Sequence, residues 1–178
     1  MSISKSIRRL HALWLGCWVC LCVAACQTFS GNPIAIPQPL PNYDTVTWLH
    51  VTKLPEGQQS LVAAQTDATG AWRWVQTDAF GAPLARQMVD RQGWKNDGFL
   101  PPNAPASRLF AALAVLVGAQ QHVDWPLIYP QQQQTRESGW TVYRYRQQLL
   151  WRIRPQGDNQ WDVVLADGTT WLVEVVNE

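Results

Sequence analysis

The sequence predicts a mainly β domain (α+β): a curved, unclosed antiparallel β half-barrel with one apolar helix on its inner face. Three observations predict it. From Tyr43 onward, short β-rich runs alternate with turn residues. One segment, 104–121, breaks that rhythm with a helical pattern that is apolar on every side. Nine tryptophans fall between residues 27 and 178, and rings that each bury roughly 150–250 Å² need concave space to receive them.

The elements follow in order. Residues 46–52, VTWLHVT, form a first strand rich in β-formers. Residues 61–66 and 71–77 flank Asp67-Ala68-Thr69-Gly70 and read as a hairpin. Within AWRWVQT the period of two sends Trp72 and Trp74 to one face, and Arg73, Val75 and Thr77 to the other. Asp78-Ala79-Phe80-Gly81 turns the chain, and a short strand follows Pro83 over 84–89. Gln92-Gly93 and Asn96-Asp97-Gly98 are further turns.

The helix over 104–121 has Pro105 at an early helical position and is dominated by alanine and leucine. Leu109, Phe110, Leu113, Leu116 and Val117 share one face, while Ala111, Ala112 and Val115 occupy the opposite one. A helix apolar all round is buried on more than one side. Trp125–Pro130 and the glutamines 131–134 are expected to be a connection. Four strands then close the chain at 140–146, 149–154, 160–166 and 169–176. Asp167-Gly168 is a two-residue hairpin signal that places Val164 opposite Trp171 and Asp162 opposite Val173. Taking Gln147-Gln148 as the preceding turn puts Arg144 opposite Trp151 and Tyr143 opposite Arg152. Seven or eight strands are expected in all.

The N-terminus reads differently. Lys5, Arg8 and Arg9 precede an apolar run from Leu10 to Ala25 interrupted by His11, the pattern of a secretory signal over 1–25. All four cysteines lie at 17–26, and Val23-Ala24-Ala25-Cys26 resembles a bacterial lipobox, which marks Cys26 for acylation. A zinc site would need ligands spaced to wrap a tetrahedron, and a disulfide framework would need cysteines beyond the cut; neither is present. Acyl chains on Cys26 would anchor the chain durably, at about 0.8 kcal/mol per buried methylene. Gln27 follows in place of an inner-membrane retention aspartate, which implies the outer membrane, facing the periplasm. Residues 26–42, with four prolines and no charge, are expected to be the lipidated cysteine and a tether, and 43–178 the domain. An edge strand at 34–36 is the alternative.

Three of the 14 basic residues and none of the 13 acids lie in the signal, so 11 bases face 13 acids in the remainder, a formal charge of −2. That balance offers no footprint for nucleic acid. His50 and His122 are the near-neutral titrating side chains beyond the signal. His50 sits within a strand and His122 just past the helix, where a cation would favour the helix dipole. No Gly-x-Ser-x-Gly elbow, His-Glu-x-x-His or P-loop occurs. No catalytic residue, metal or cofactor is therefore expected.

The segments TDAFGAPLARQ (77–87), FLPP (99–102) and RLFAAL (108–113) resemble the bacterial lipoproteins grouped as domain of unknown function 3261. That family is similar in architecture to the LolA/LolB lipoprotein carriers, an unclosed barrel lidded by helices around an apolar cavity. Its members are associated with gene sets for aryl-polyene lipids. The resemblance thus implies an outer-membrane lipoprotein that binds or transfers an acyl or polyenyl ligand without catalysis. Trp72, Trp74, Leu109, Phe110, Leu113, Leu116, Trp140 and Trp151 would line the cavity, gated near Leu100. Arg144, Arg146, Arg152 and Arg154 would either meet anionic head groups at its mouth or pack across strands as cation–π pairs. The other reading is a ligand-free lipoprotein that scaffolds an envelope assembly through a protein partner.

Overall fold

The computed structural model describes residues 33–42, 44–99 and 103–176. The signal, Cys26 and the Leu100 gate lie outside them. Ten strands form one antiparallel sheet: β1 (Thr47–Leu54), β2 (Gln58–Thr66), β3 (Trp72–Asp78), β4 (Pro83–Asp90), β5 (Gly93–Asn96), β6 (Gln133–Glu137), β7 (Trp140–Tyr145), β8 (Gln148–Pro155), β9 (Gln160–Leu165) and β10 (Thr170–Val176). The long helix α1 (Ala104–Gln120) and the single turn α2 (Trp125–Ile128) join β5 to β6. The strand order is β5-β4-β3-β2-β1-β10-β9-β8-β7-β6. The chain therefore starts at the centre, meanders to one edge, crosses by helix to the other, and returns to pair β10 with β1.

The sheet has to curve. On a flat sheet, five strand spacings of about 4.8 Å would put β3 and β8 roughly 24 Å apart, twice the width of a helix. Yet Trp74 of β3 stacks on Phe110 of α1 at 5.3 Å, while Trp151 of β8 meets Tyr129 at 5.6 Å. The Tyr129 hydroxyl in turn donates to the Ala111 carbonyl at 2.6 Å. Both halves of the sheet thus wrap one helix, and β5 and β6 remain unpaired edges of an unclosed half-barrel. The edges suit that position: β5 is four residues long, and β6, QQTRE, is polar and exposed throughout.

α1 is buried from Ala106 to Gly118 except at Arg108, as its all-round apolar pattern predicts. Asn103 caps it, accepting from the Ala106 amide at 3.0 Å. Gln87 on β4 fixes its first turn, accepting from Ser107 Oγ at 2.8 Å and donating to the Asn103 carbonyl at 3.1 Å. The far end closes in a Schellman motif. His122 takes φ 57°, its amide donates to Ala119 O and the Val123 amide to Gly118 O. His122 ends the helix through its backbone. Gly118 lets α2 approach, since a Cβ there would run into Ile128 Cδ1.

Three local readings are corrected. Val164 pairs with Thr170 and Asp162 with Leu172, one residue from the expected register, because a four-residue loop, 166–169, joins the strands. The β7–β8 turn is Arg146-Gln147, both at positive φ, and a bulge follows Tyr143, so Tyr143 faces Trp151 and Val142 faces Arg152. β5 and β6 were not expected: GWKN is too short, and QQTRE lacks the apolar alternation that marks a half-buried strand.

Candidate functional site

The expected cavity residues divide sharply. Trp72 and Trp74 are fully buried and stacked at 5.7 Å, and Trp74 continues the stack onto Phe110. Leu109, Leu113 and Leu116 are buried on α1, and Trp151, 2% exposed, packs against Tyr143 and Tyr129. These seven fill the concave face with their own side chains. Trp140 lies instead on the outer face of β7, with the Arg152 and Arg154 guanidiniums 4.8 and 4.5 Å from its ring centroid.

The four arginines do not make a common rim. Arg144 binds Glu137 at 2.8 Å and Thr135 at 3.0 Å, and that guanidinium holds the Glu137 carboxyl below its ordinary range. Arg154 pairs with Asp162 at 2.6 Å. Arg146 is a turn residue lying over Tyr145. Of the four, Arg152 and Arg154 make the cross-strand cation–π packing weighed from the sequence, both against Trp140 on the neighbouring strand.

The concave opening is governed by a segment read as free tether. Residues 33–41 run as an extended strap across the ends of β3 and the β4–β5 turn. Prolines at 33, 37, 39 and 41 leave few amide donors, so the strap cannot join a β-ladder. It offers carbonyls instead, and the domain meets them with side-chain donors. Trp94 Nε1 donates to Ala35 O at 2.8 Å, Trp72 Nε1 to Gln38 O at 3.3 Å, and Thr66 Oγ1 to Pro41 O at 3.1 Å. The strap's own amides are used too: Gln38 N donates to Ile128 O at 2.9 Å and Leu40 N to Gly70 O at 3.1 Å. Ala35 and Leu40 are buried in the core, so residues 33–42 belong to the compact domain, which does not begin at residue 43.

Beneath the strap lies a cleft of about 450 Å³. Ile34, Ala35 and Ile36 form one wall, and Tyr129, Tyr145 and Leu150 another. Gln38, Arg91, Gln131 and Gln132 supply its polar atoms. None of the eight expected cavity residues lines it. Burial pushes the Tyr129 phenol well above its usual pKa, so it stays neutral and serves as a donor into the helix. Its lining comes from four separate stretches of chain, and the one local signal was Ile34-Ala35-Ile36, an apolar triplet with no use in a solvated tether.

His50, mid-β1 on the outer face, is paired with Leu61 and Glu174, while His122 closes α1 far along the chain. Neither lines the cleft. Among the described residues no group of His, Cys, Asp and Glu could hold a metal ion, and no helix is long and apolar enough to cross a membrane. Compared with protein-family models and with curated proteins, the chain finds no match.

Proposed function

We propose that the protein is a lipid-anchored envelope protein, acylated at Cys26 and facing the periplasm, that binds a lipid-like ligand without covalent chemistry. The observation that carries this reading is the cleft under the strap. Its volume of about 450 Å³ falls toward the lower end of the roughly 300–1,000 Å³ range of small-ligand sites, and its lining is mixed, with Ile34, Ala35, Ile36 and Leu150 beside Gln38, Arg91, Gln131 and Gln132. That suits one acyl or polyenyl chain, the ligand class implied by the resemblance to domain of unknown function 3261. Cargo would sit in the cleft and not among the rings of the core. The seven residues from Cys26 to Pro33 can span at most about 25 Å, so acylation would keep the strap's start close to the bilayer surface.

A second reading has its own support. The core is filled by the protein's own side chains, and Phe80 at the β3–β4 tip is 97% exposed, which fits a ligand-free scaffold that docks on an envelope protein. Native mass spectrometry of protein produced from the full chain separates the two. A lipid-mass adduct beyond the N-terminal acyl groups, lost on organic extraction and regained when fatty acids are offered, supports the carrier. An unliganded mass with no uptake at excess ligand rejects it in favour of the scaffold.

A further inference from the structure

We infer that the cleft selects single-chain amphiphiles with an anionic head group, and that Arg91 is the residue that reads the charge. This rests on the cleft being the ligand site proposed above. Among the described residues Arg91 is the one charged residue that lines the cleft, and no acid does. Its neighbour Asp90 is turned to other partners: Lys95 Nζ binds Asp90 Oδ2 at 2.6 Å and the Gln92 amide donates to Oδ1 at 2.8 Å. Among the described residues Arg73, Arg86, Arg144 and Arg154 are each held by a carboxylate, whereas Arg91, Arg108, Arg136, Arg146 and Arg152 have no ion pair, and of these five Arg91 lines the cleft. A guanidinium left unpaired beside an apolar slot is matched by a carboxylate or phosphate, which it can grip with two parallel N–H bonds.

A second polar group points the same way. The side-chain oxygen of Gln132 is buried without a partner, and Gln132 lines the cleft. A primary amide turned end for end presents an N–H where its oxygen stood, so this side chain can donate to an anionic head as well. The apolar wall of Ile34, Ile36 and Leu150 takes the chain. With a volume near the low end for ligand sites, one chain fits the space and two or three do not. The ligand is thus a molecule of the fatty-acid or lysophospholipid type.

The test uses cis-parinaric acid, a fluorescent single-chain carboxylate, and its uncharged methyl ester, titrated into protein purified from the full chain. Arg91 is exposed, so Arg91→Glu leaves the fold intact. Wild type should bind the acid more tightly than the ester, and Arg91→Glu should weaken the acid about tenfold, one charge-assisted hydrogen bond, while sparing the ester. Ile36→Trp, at a residue 42% exposed, should block the cleft to both probes. Oleate and lysophosphatidate as competitors identify the source of the head group: displacement by either supports the assignment, and by neither overturns it. Equal binding of acid and ester, unchanged in Arg91→Glu but lost in Ile36→Trp, removes the role of Arg91 and leaves the cleft. Failure of both probes to bind, or indifference to Ile36→Trp, removes the cleft itself and this inference with it.

Discussion

The indole N–H of Trp94 donates to the carbonyl of Ala35 across 2.8 Å, joining an edge strand to a residue 59 positions earlier. Tryptophan is a donor without an acceptor, and a proline-rich strap is an acceptor with few donors, so the pairing is complementary. Trp94→Phe keeps a ring beside Phe110, 6.3 Å away, and removes the donor. The loss should be about 1 kcal/mol, seen as a lower urea midpoint with an unchanged slope. Proteinase K should also cut the strap sooner. A variant with wild-type midpoint and cleavage rate would show that the strap is held by other means.

Gly70 offers a sharper comparison. It has φ +78°, and a Cβ there would collide with the Leu40 carbonyl of the strap. Gly57 has φ +70° with open space around it. Alanine at Gly57 meets the left-handed backbone penalty alone, about 1 kcal/mol. Alanine at Gly70 meets the same penalty and must also push the strap away, so it should cost about 1–3 kcal/mol more. Chemical denaturation of both variants measures the difference. Equal costs would mean that the strap yields freely at Leu40.

What the sequence made legible follows from how local each signal was. VTWLHVT and AWRWVQT carry their signal within seven residues, and both gave strands, the second with Trp72 and Trp74 on one buried face as expected. The helix was equally plain, because its burial is written into every position from Ala106 to Gly118 save Arg108. QQTRE carried no such mark, since an edge strand exposed on both faces has no apolar period to display. The registers at β7–β8 and β9–β10 slipped because Arg146-Gln147 takes positive φ without glycine and Asp167-Gly168 sits inside a four-residue loop. The strap was illegible for a different reason. Its partners lie 34 and 59 residues away, and nothing in PIAIPQPLP announces that distant indoles will bind its carbonyls. The cleft inherits that difficulty, because the strap is one of its walls.

Asp67 ties the strap's docking site to pH. Its Oδ1 accepts from Thr69 Oγ1 at 2.6 Å, Thr69 N at 2.8 Å and Ala71 N at 3.1 Å, bracing the turn that presents Gly70. The bond from the Thr69 hydroxyl, with the two amides, lowers its pKa below the ordinary 3.8. A carboxylate depressed on folding stabilises fully above its unfolded value, and that contribution is lost as pH falls through the folded value. Asp67→Ala should therefore cost about 1 kcal/mol at neutral pH, discounted for exposure. The gap to wild type should narrow as pH falls below 3.8. Thermal melts across that range check it; a gap constant with pH would assign the effect to something other than the carboxylate's charge.

The ring stack decides between a closed core and a cavity that opens in solution. Phe110 lies between Trp74, 5.3 Å away and nearly parallel, and Trp94 at 6.3 Å, with no exposure of its own. If that stack is closed, Phe110→Ala leaves a void with rigid aromatic walls and should cost about 3–5 kcal/mol. Trp140→Ala removes a surface ring with two guanidiniums over it, each worth about 0.5–1 kcal/mol, and should cost far less despite the larger side chain. If Phe110 instead bordered a space that admits ligand, truncating it would enlarge an existing cavity at little expense. The two variants would then lie close together in urea midpoint, and added fatty acid would stabilise Phe110→Ala more than wild type. The wide gap is the expected result, because Phe110 and Trp74, stacked with centroids 5.3 Å apart and without exposure, have no solvent-filled space to give up to a ligand.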